Sequence, residues 1–546
     1  MSSSTPVSMQ AQSRASTRSR TPSAHTSHRP RWSRADVSSR RAACRADEGL
    51  SERQRAHRHR IPRSTLRHWE RRAAGYDALG EFLERPEGEA FLRRLHVAAH
   101  LVFGLIAPVG IRSIGMFFKL AGLGPYLACS YGASRRATEK LESAVVAFGA
   151  HERARLSALM PHRKISVVLD ETFHPRVMLV AIEPVSGFIL VESYTPSRDG
   201  VEWAAALAEA KRDLDVEIVQ ATSDRGSAIL SVVRVALGAT SPDLFHVQHD
   251  ITKGTAAPLA AAVRRAKAKL DEAVRSGQLD VGKTTPELEE AERHRATMSE
   301  AVNGIASAYH PYDLTDGAVR DAAVVERDLA AELNRARSVV VEAGLPDRSA
   351  KAVEKAARVI PDMVATVRNF HSVISERVSA LELPPALKAA VVALLIPSIY
   401  VSCVAKRAAG ADRRRSLRAV AAALRARLDS NAYWLALGDV ARDRILAVAI
   451  ECADFFQRSS SCVEGRNGHL SLYHHAFHRL TPTKLQALTV VANYFVRRDD
   501  DKTAAERFFG HAPTDLFEWL VERCDGPGRP AKPRARTRER SSTPSS

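Results

Sequence analysis

The chain has 546 residues, which is more than a single hydrophobic core normally organises, so several domains are predicted. Apolar residues make up 45% and charged residues 26%, and these proportions exclude a wholly disordered or collagen-like protein. The net charge of +18 predicts a polyanionic partner, with nucleic acid favoured over a membrane surface.

Six cysteines are scattered along the chain without a C-x-x-C pair or regular spacing. A disulfide framework or a cysteine-based zinc site is therefore not expected, and a reducing cytosol fits this cysteine usage best. The most apolar segment, residues 97–111, is shorter than the roughly 18 residues that a membrane-spanning helix needs. We expect no membrane contact.

The two ends of the chain are rich in Ser, Thr, Pro and Arg. Such segments bury too little apolar surface to offset the entropy of ordering, so residues 1–48 are predicted to be a disordered basic arm and residues 524–546 a disordered basic tail.

Residues 49–77 carry a pattern of two short helices around a tight turn. Ser51 can cap a helix that runs to about His59, and Pro62 suits the first turn of the next helix. A helix-turn-helix-like reader of the DNA major groove and an ordinary basic helical hairpin both fit this pattern. In the first hypothesis, the outer face of the second helix contacts DNA through Arg63, Ser64, Arg67 and His68. Residues 78–160 continue as a helical DNA-binding or linker region.

From residue 161 to 254 the pattern changes to short β-branched runs separated by turn signals. Their order, βββαβαβ, predicts an α/β domain with a mixed sheet covered by helices. The five strands are expected at 164–170, 176–182, 188–194, 217–222 and 244–247, and the two helices at 201–214 and 226–237. Residues 255–455 are rich in Ala, Arg and Leu and predict an all-helical domain, while 456–523 form a further helical part.

Three acidic residues occupy special positions in this scheme. Asp170 ends the first strand, Asp224 follows the fourth strand, and Glu464 lies in a later helix. The first and fourth strands are neighbours in such a sheet, so their terminal acids can stand side by side, and the helix can bring the third acid to them. Three converging carboxylates suit two Mg²⁺ ions, because hard cations prefer oxygen ligands.

The chain resembles the DDE transposases of bacterial insertion sequences. The matching pieces are Val168-Leu169-Asp170-Glu171-Thr172, Thr222-Ser223-Asp224-Arg225-Gly226 and Val463-Glu464-Gly465-Arg466-Asn467-Gly468. The resemblance implies a ribonuclease-H-like fold with Asp170, Asp224 and Glu464 as the catalytic, metal-binding triad. The long separation of Asp224 from Glu464 is similar to the subtype in which a helical domain interrupts the core.

The resemblance also implies a function. It is metal-dependent phosphodiester hydrolysis and strand transfer at the ends of an insertion sequence, with two Mg²⁺ or Mn²⁺ ions. Double-stranded DNA is then the partner, the location is the cytoplasm in association with the nucleoid, and a homodimer or higher oligomer forms when two ends are brought together. The alternatives are a catalytically inactive DNA-binding descendant of such an enzyme and a ribonuclease-H-like nuclease.

Several further residues compete for roles at this site. Asp250, just past the expected fifth strand, is an alternative to Asp224, whereas Glu171 should face the opposite side of its strand and be structural. Trp434 has a possible role in stacking on a base, with core packing as the competing interpretation. Contact with DNA phosphates is expected from Arg225, Arg466, His469 and Arg479.

Overall fold

The computed structural model describes residues 32, 34–173, 175–224, 226, 229, 233, 239–276, 281–477 and 480–530. The chain divides into two compact units, Met1–Leu92 and Arg93–Ser546. Most of the predicted helix at 226–237 lies outside the described residues, as do residues 1–31 of the predicted basic arm and 531–546 of the predicted tail.

The first unit is a small helical body, with α1 (Arg34–Ala46), α2 (Glu52–Arg58), α3 (Arg63–Ala73) and α4 (Ala78–Leu83). Its core includes the side chains Val37, Cys44, Ala56, Ile61, Leu66 and Trp69. Because α1 contributes Val37 and Cys44 to this core, the prediction of a disordered arm over 1–48 is wrong for its last third. The apolar residues of α1 are few, but they fall on one face and the rest of the unit covers them.

The two helices predicted from 49–77 are confirmed. Ser51 caps α2 through a capping box, in which its hydroxyl accepts from the Gln54 N–H and its own N–H donates to Gln54 Oε1 at 2.9 Å. Pro62 stands directly before α3, where its missing N–H costs no helical hydrogen bond.

Helix α5 (Pro86–Leu101) continues from the first unit into the second, where a π-helical turn (Val102–Ile106), α6 (Ile111–Leu120) and α7 (Tyr131–Ser157) follow. Leu141, Val145 and Phe148 of α7 are buried in the same hydrophobic core as the sheet. This part of the predicted 78–160 region therefore shares the hydrophobic core of the sheet.

The second unit contains a mixed five-stranded sheet in the order β3-β2-β1-β4-β5. Strand β1 (Arg163–Phe173) pairs antiparallel with β2 (Val177–Glu183), and β2 pairs antiparallel with β3 (Phe188–Tyr194). Helix α8 (Gly200–Lys211) follows. Strand β4 (Val216–Ser223) comes next and is parallel to β1. The expected adjacency of the first and fourth strands is confirmed.

The fifth strand is not where the sequence pattern placed it. Strand β5 (Ala239–Pro242) pairs parallel with β4, and the expected strand at 244–247 is instead the first turn of α9 (Leu244–Ser276). Leu244 and Val247 are buried because they lie on one face of that helix, where they join the helical core. A short apolar run fits a strand and a buried helix equally well.

A large helical domain follows β5, and its prediction as all-helical is confirmed within the described residues, apart from a single bridge between Tyr312 and Val319. Its elements are α9, α10 (Val281–Ala308), α11 (Ala322–Glu342), α12 (Asp347–Ala357), α13 (Ile360–Ser379), α14 (Pro385–Ala390), a π-helical turn (Val391–Leu395), α15 (Ile396–Arg407), α16 (Ala411–Asp429), α17 (Ala432–Leu435) and α18 (Asp439–Phe455).

Helix α13 of the helical domain packs against β4 and β5. The Thr366 hydroxyl lies 3.3 Å from the carbonyl oxygen of Thr240 on β5, and Asn369 Nδ2 donates to Gln220 Oε1 on β4 at 3.3 Å.

One continuous helical stretch, Pro385–Arg407, is long and apolar enough to cross a membrane by length and composition. It differs from the 97–111 segment that the sequence analysis singled out. Half of its most apolar window is buried in the protein, and Leu387, Val391, Leu395 and Val401 belong to the core of the helical domain. Its apolar character is accounted for by this packing.

The chain returns to the sheet through α19 (Ser461–Phe477), α20 (Pro482–Tyr494), α21 (Ala504–Phe509) and α22 (Leu516–Arg523). The segment after α22 corrects the predicted tail, because its first residues are held in place. Pro527 is buried, and the Ala128 N–H donates to the Gly528 carbonyl at 2.7 Å.

Candidate active site

The register of the three parallel strands aligns three aspartates at one edge of the sheet. Val168 of β1 is level with Thr222 of β4, and Ser223 of β4 is level with Pro242 of β5. Continuing both registers to the ends of the strands brings Asp170, Asp224 and Asp243 into one row. The carboxyl ends of parallel strands commonly form the ligand-binding edge of an α/β sheet.

Glu464 reaches this edge from the first turn of α19. The residue before that helix, Ser460, donates its N–H to Asp243 Oδ2 at 2.9 Å, and its hydroxyl lies 2.5 Å from the same oxygen and 3.1 Å from Glu464 Oε1. A single serine therefore connects the acid after β5 to the acid of the helix.

The start of α19 is also anchored to the helical domain. Arg458 donates to the carbonyl oxygens of Ala306 and Tyr309, at 2.9 and 3.0 Å, and its own carbonyl accepts from the Leu244 N–H at 2.8 Å. These hydrogen bonds to the helical domain hold the start of α19, and with it Glu464, in position beside the sheet.

The Asp170 carboxyl is buried beside other negative charges. Burial and, to a smaller extent, the charges of Asp224 and Glu464 raise its pKa to about 6, against the opposing effects of the Glu171 N–H and His246. Asn467, one turn along α19 from Glu464, donates its amide to Asp170 Oδ2 at 2.8 Å. Asp170 therefore lies near enough to Asp224 and to Glu464 for their charges to act on its carboxyl.

Sequence reasoning missed two members of the site, Asp243 and His246. Together with Glu464 they offer one oxygen or nitrogen ligand atom each, and these atoms lie within 4.8 Å of one another. Asp243 was overlooked because the fifth strand was expected five residues too late. The usable signal was the pair Pro242-Asp243, since Pro ends the ladder and Asp favours the start of a helix.

Two other acidic side chains near the site, Asp250 and Glu171, have partners away from the row of aspartates. Asp250, the alternative to Asp224, forms an ion pair with Lys355 at 2.8 Å on the helical domain, so it is not part of the row. Glu171 accepts from the Trp203 indole N–H at 2.9 Å, which fits the predicted structural role on the other face of β1.

The basic residues expected to contact DNA have different environments. The Arg466 side chain is buried and donates two hydrogen bonds to the Glu192 carboxylate of β3, at 2.7 and 2.6 Å. It therefore does not face the solvent, whereas the sequence suggested a contact with DNA phosphates. His469 is exposed, with its ring 5.2 Å from that of Tyr473. Arg225 and Arg479 lie outside the described residues.

Trp434 cannot serve as a base-stacking platform in this structure. Its side chain is buried in the helical domain, with the Arg425 guanidinium over the ring at 5.3 Å. The competing interpretation, core packing, describes this residue.

In the first unit, α3 exposes the predicted DNA-facing side chains. Arg63 and Arg67 both bind Glu52 of α2, at 2.7 and 2.8 Å, while Ser64 is exposed and His68 is half-buried. The two arginines retain roughly half of their side-chain surface, so the pair with Glu52 orients them without burying them.

The donor set of the site suits divalent cations. Among the described residues, no Lys or Arg forms an ion pair with Asp170, Asp224, Asp243 or Glu464, so their negative charge has no cationic partner in the protein. Carboxylate oxygens are the ligands that Mg²⁺ and Mn²⁺ prefer. Asp170, Asp224 and Glu464 are the residues that would hold them.

A family model matches part of the chain. Residues 391–536 match the model of DUF6399, a family of unknown function. No curated protein matches the chain. The matched region includes Glu464 and about the last third of the helical domain but neither Asp170 nor Asp224.

Proposed function

We propose that the protein cuts and joins DNA strands as a metal-dependent transposase of the DDE type, with a ribonuclease-H-like core interrupted by the helical domain. The observation that carries this proposal is the meeting of Asp170 and Asp224 from neighbouring parallel strands with Glu464 from α19, close enough for the charges of the other two acids to raise the pKa of Asp170. The sheet order β3-β2-β1-β4-β5 and the interruption after β5 support it.

The protein's own residues would hold and orient the reacting groups. Asn467 fixes one oxygen of Asp170, and the Gly226 N–H fixes one oxygen of Asp224 at 2.9 Å, so both carboxylates are directed before substrate arrives. Glu464 is exposed at the start of α19 and can meet the substrate side of the site. Divalent cations, when bound, activate the attacking water or 3′-hydroxyl and stabilise the leaving oxygen.

A cavity of about 710 Å³ beside α19 supports a nucleic-acid substrate. Arg407 and Arg413 line it, together with Ser461 at the start of the helix that carries Glu464. Guanidinium groups recognise phosphate oxygens through paired hydrogen bonds, so this cavity suits the backbone of a DNA strand that enters the site.

The retention of all three acids favours an enzyme over an inactive DNA-binding descendant. The helical hairpin of the first unit, with Arg63 and Arg67 held outward, favours a DNA transposase over a ribonuclease H, which needs no separate DNA-reading element.

The test is to assay the purified full chain with Mg²⁺ on a duplex containing the DNA that flanks its coding region. We expect cleavage and strand joining by the wild type and loss of both by Asp224→Asn, because that change removes a negative ligand and keeps the size of the side chain. DNA binding should persist. Asp250→Asn, which breaks only the ion pair with Lys355, is the matched control and should cleave. Cleavage by Asp224→Asn at the wild-type rate would contradict the proposal.

A further inference from the structure

Beyond the three acids predicted from sequence, the structure assigns a second ligand group at the same edge of the sheet. We propose that Asp243, His246 and Glu464 form a mixed nitrogen and oxygen site for a first-row divalent transition ion, tested here as Mn²⁺. The inference deepens the proposed function, because it rests on the same site and shares Glu464 with it.

The geometry fits one ion. The three ligand atoms lie within 4.8 Å of one another. Three ligands bound at about 2.0–2.2 Å and spread evenly around one ion lie roughly 3.5–3.8 Å from one another. A closure of up to about 1 Å, which rotation of the exposed Glu464 side chain and of the half-buried His246 ring provides, brings all three to one ion.

Asp243 is the buried anchor of this group. It is 1% exposed, and no ion pair in the described part of the chain compensates its charge. Buried charges are generally paired or coordinate a metal. The Phe245 N–H donates to Oδ1 at 2.7 Å, whereas Oδ2 accepts from both the N–H and the hydroxyl of Ser460. A carboxylate oxygen with one hydrogen bond keeps a further acceptor position, so Oδ1 can still bind a cation while these bonds orient it.

His246 supplies the nitrogen donor. It lies in the first turn of α9, it is half-buried, and no described residue forms a hydrogen bond with its ring. The Phe245 ring stands against it at 5.6 Å in an edge-to-face arrangement, which restricts the directions in which the imidazole can point.

On Glu464, Ser460 is the only hydrogen-bond partner in the described part of the chain, and it uses Oε1. The other oxygen remains for a cation. Two carboxylates and an imidazole leave open positions on the ion for water or a phosphate oxygen, as a catalytic site requires.

The donor types predict which ion is preferred. Imidazole nitrogen suits transition metals, whereas Mg²⁺ prefers oxygen ligands alone. Asp170 and Asp224 offer only oxygen ligands, which suit Mg²⁺. Asp243 and His246 together offer an oxygen and a nitrogen ligand, and the nitrogen favours Mn²⁺ over Mg²⁺.

The experiment uses the full chain, freed of metal and loaded with Mn²⁺, and measures pulsed electron paramagnetic resonance. A ¹⁴N nucleus bound directly to Mn²⁺ modulates the echo, so imidazole ligation has a signature of its own. We expect this modulation in the wild type and its loss in His246→Gln, with Mn²⁺ affinity weakened by about tenfold or more. His249→Gln is the matched control: His249 is exposed, stacks on Phe245 at 5.7 Å and is not in the group, so the modulation should remain.

The inference is overturned if the wild type shows no ¹⁴N modulation or if the modulation persists in His246→Gln. A protein that cleaves DNA with Mg²⁺ but lacks the modulation overturns this inference alone. A protein that shows the modulation and its loss in His246→Gln but never cleaves DNA overturns the proposed function alone. His246→Gln is preferred to a change at Asp243, because Asp243 also holds Ser460 and its loss could disturb folding.

Discussion

At the scale of single residues, Asp170 shows how a functional group can oppose stability. Its ionised form is disfavoured by burial and by the charges of Asp224 and Glu464, which together raise its pKa to about 6 from an ordinary value near 4. The folded protein then binds a proton that the unfolded chain has released between these two pH values. The stability contributed by this group must fall as pH rises from about 4 to about 6 and stay low above that.

We therefore expect Asp170→Asn to stabilise the metal-free protein at pH 7, by at most about 3 kcal/mol on the scale of about 1.4 kcal/mol per pKa unit. At pH 4 the gain should shrink toward zero, because the wild-type carboxyl is then protonated. Thermal unfolding of both proteins over this pH range, in the presence of a chelator, measures the difference. A gain that is equal at pH 4 and pH 7 would argue against a raised pKa.

The residues of the site differ in how far sequence could identify them. Asp170 lies in β1 and Asp224 directly follows β4, and both strands have a clear β-branched pattern, so the proximity of the two acids followed from the strand order. Asp243 and His246 follow a strand of only four residues, Ala239–Pro242, with almost no pattern of its own. Their part in the site depends on where that strand ends, and an error of a few residues hid both.

At the scale of elements, a buried ion pair fixes α19 across the sheet. Arg466 of α19 and Glu192 of β3 are 9% and 0% exposed in their side chains, and Thr489 of α20 donates to the same carboxylate at 2.6 Å. Sequence could not reveal this pairing, because its members are far apart along the chain and an arginine near a catalytic acid equally suggests a phosphate contact. The pair instead sets the position of the helix that presents Glu464.

Breaking this pair from one side should be costly. Arg466→Ala leaves Glu192 buried without a counter-charge, and we expect a loss of about 3–5 kcal/mol in the stability of the second unit. Replacing both residues by Met should restore most of it, since no buried charge remains. Thermal unfolding of the full chain provides the measurement. Arg135→Ala removes only the exposed pair with Glu139 and serves as the control, with a change below about 0.5 kcal/mol. If the double variant were as unstable as Arg466→Ala, packing rather than charge would explain the loss.

At the scale of the whole molecule, the chain leaves the sheet for the helical domain and returns from it at neighbouring positions. The chain leaves β5 at Asp243 and returns at Ser460, and these two residues are hydrogen-bonded to each other. The two ends of the helical domain therefore meet beside the sheet. The helical character of 255–455 was predictable for a separate reason, because Ala, Arg and Leu are strong helix formers. The contacts of α13 with β4 and β5 could not be predicted, because the hydrophobic pattern of each segment does not show how the helical domain packs on the sheet.

The distribution of charge along the chain leads to the last prediction. Residues 1–31 contain five arginines and no acidic residue, and residues 531–546 are also basic. Each phosphate that such a segment neutralises releases counterions, so the logarithm of the affinity for duplex DNA should fall linearly with the logarithm of the salt concentration, with a slope of about −0.9 per phosphate contact. A variant that starts at residue 32 and ends at 530 should bind DNA more weakly at low salt, with a slope reduced by several units. The Asp224→Asn variant should keep the wild-type slope, because this residue lies in the candidate metal site. Fluorescence anisotropy with a labelled duplex at a series of salt concentrations measures all three proteins. An unchanged slope in the shortened variant would mean that the folded units, and not the ends of the chain, carry the contacts with the phosphate backbone.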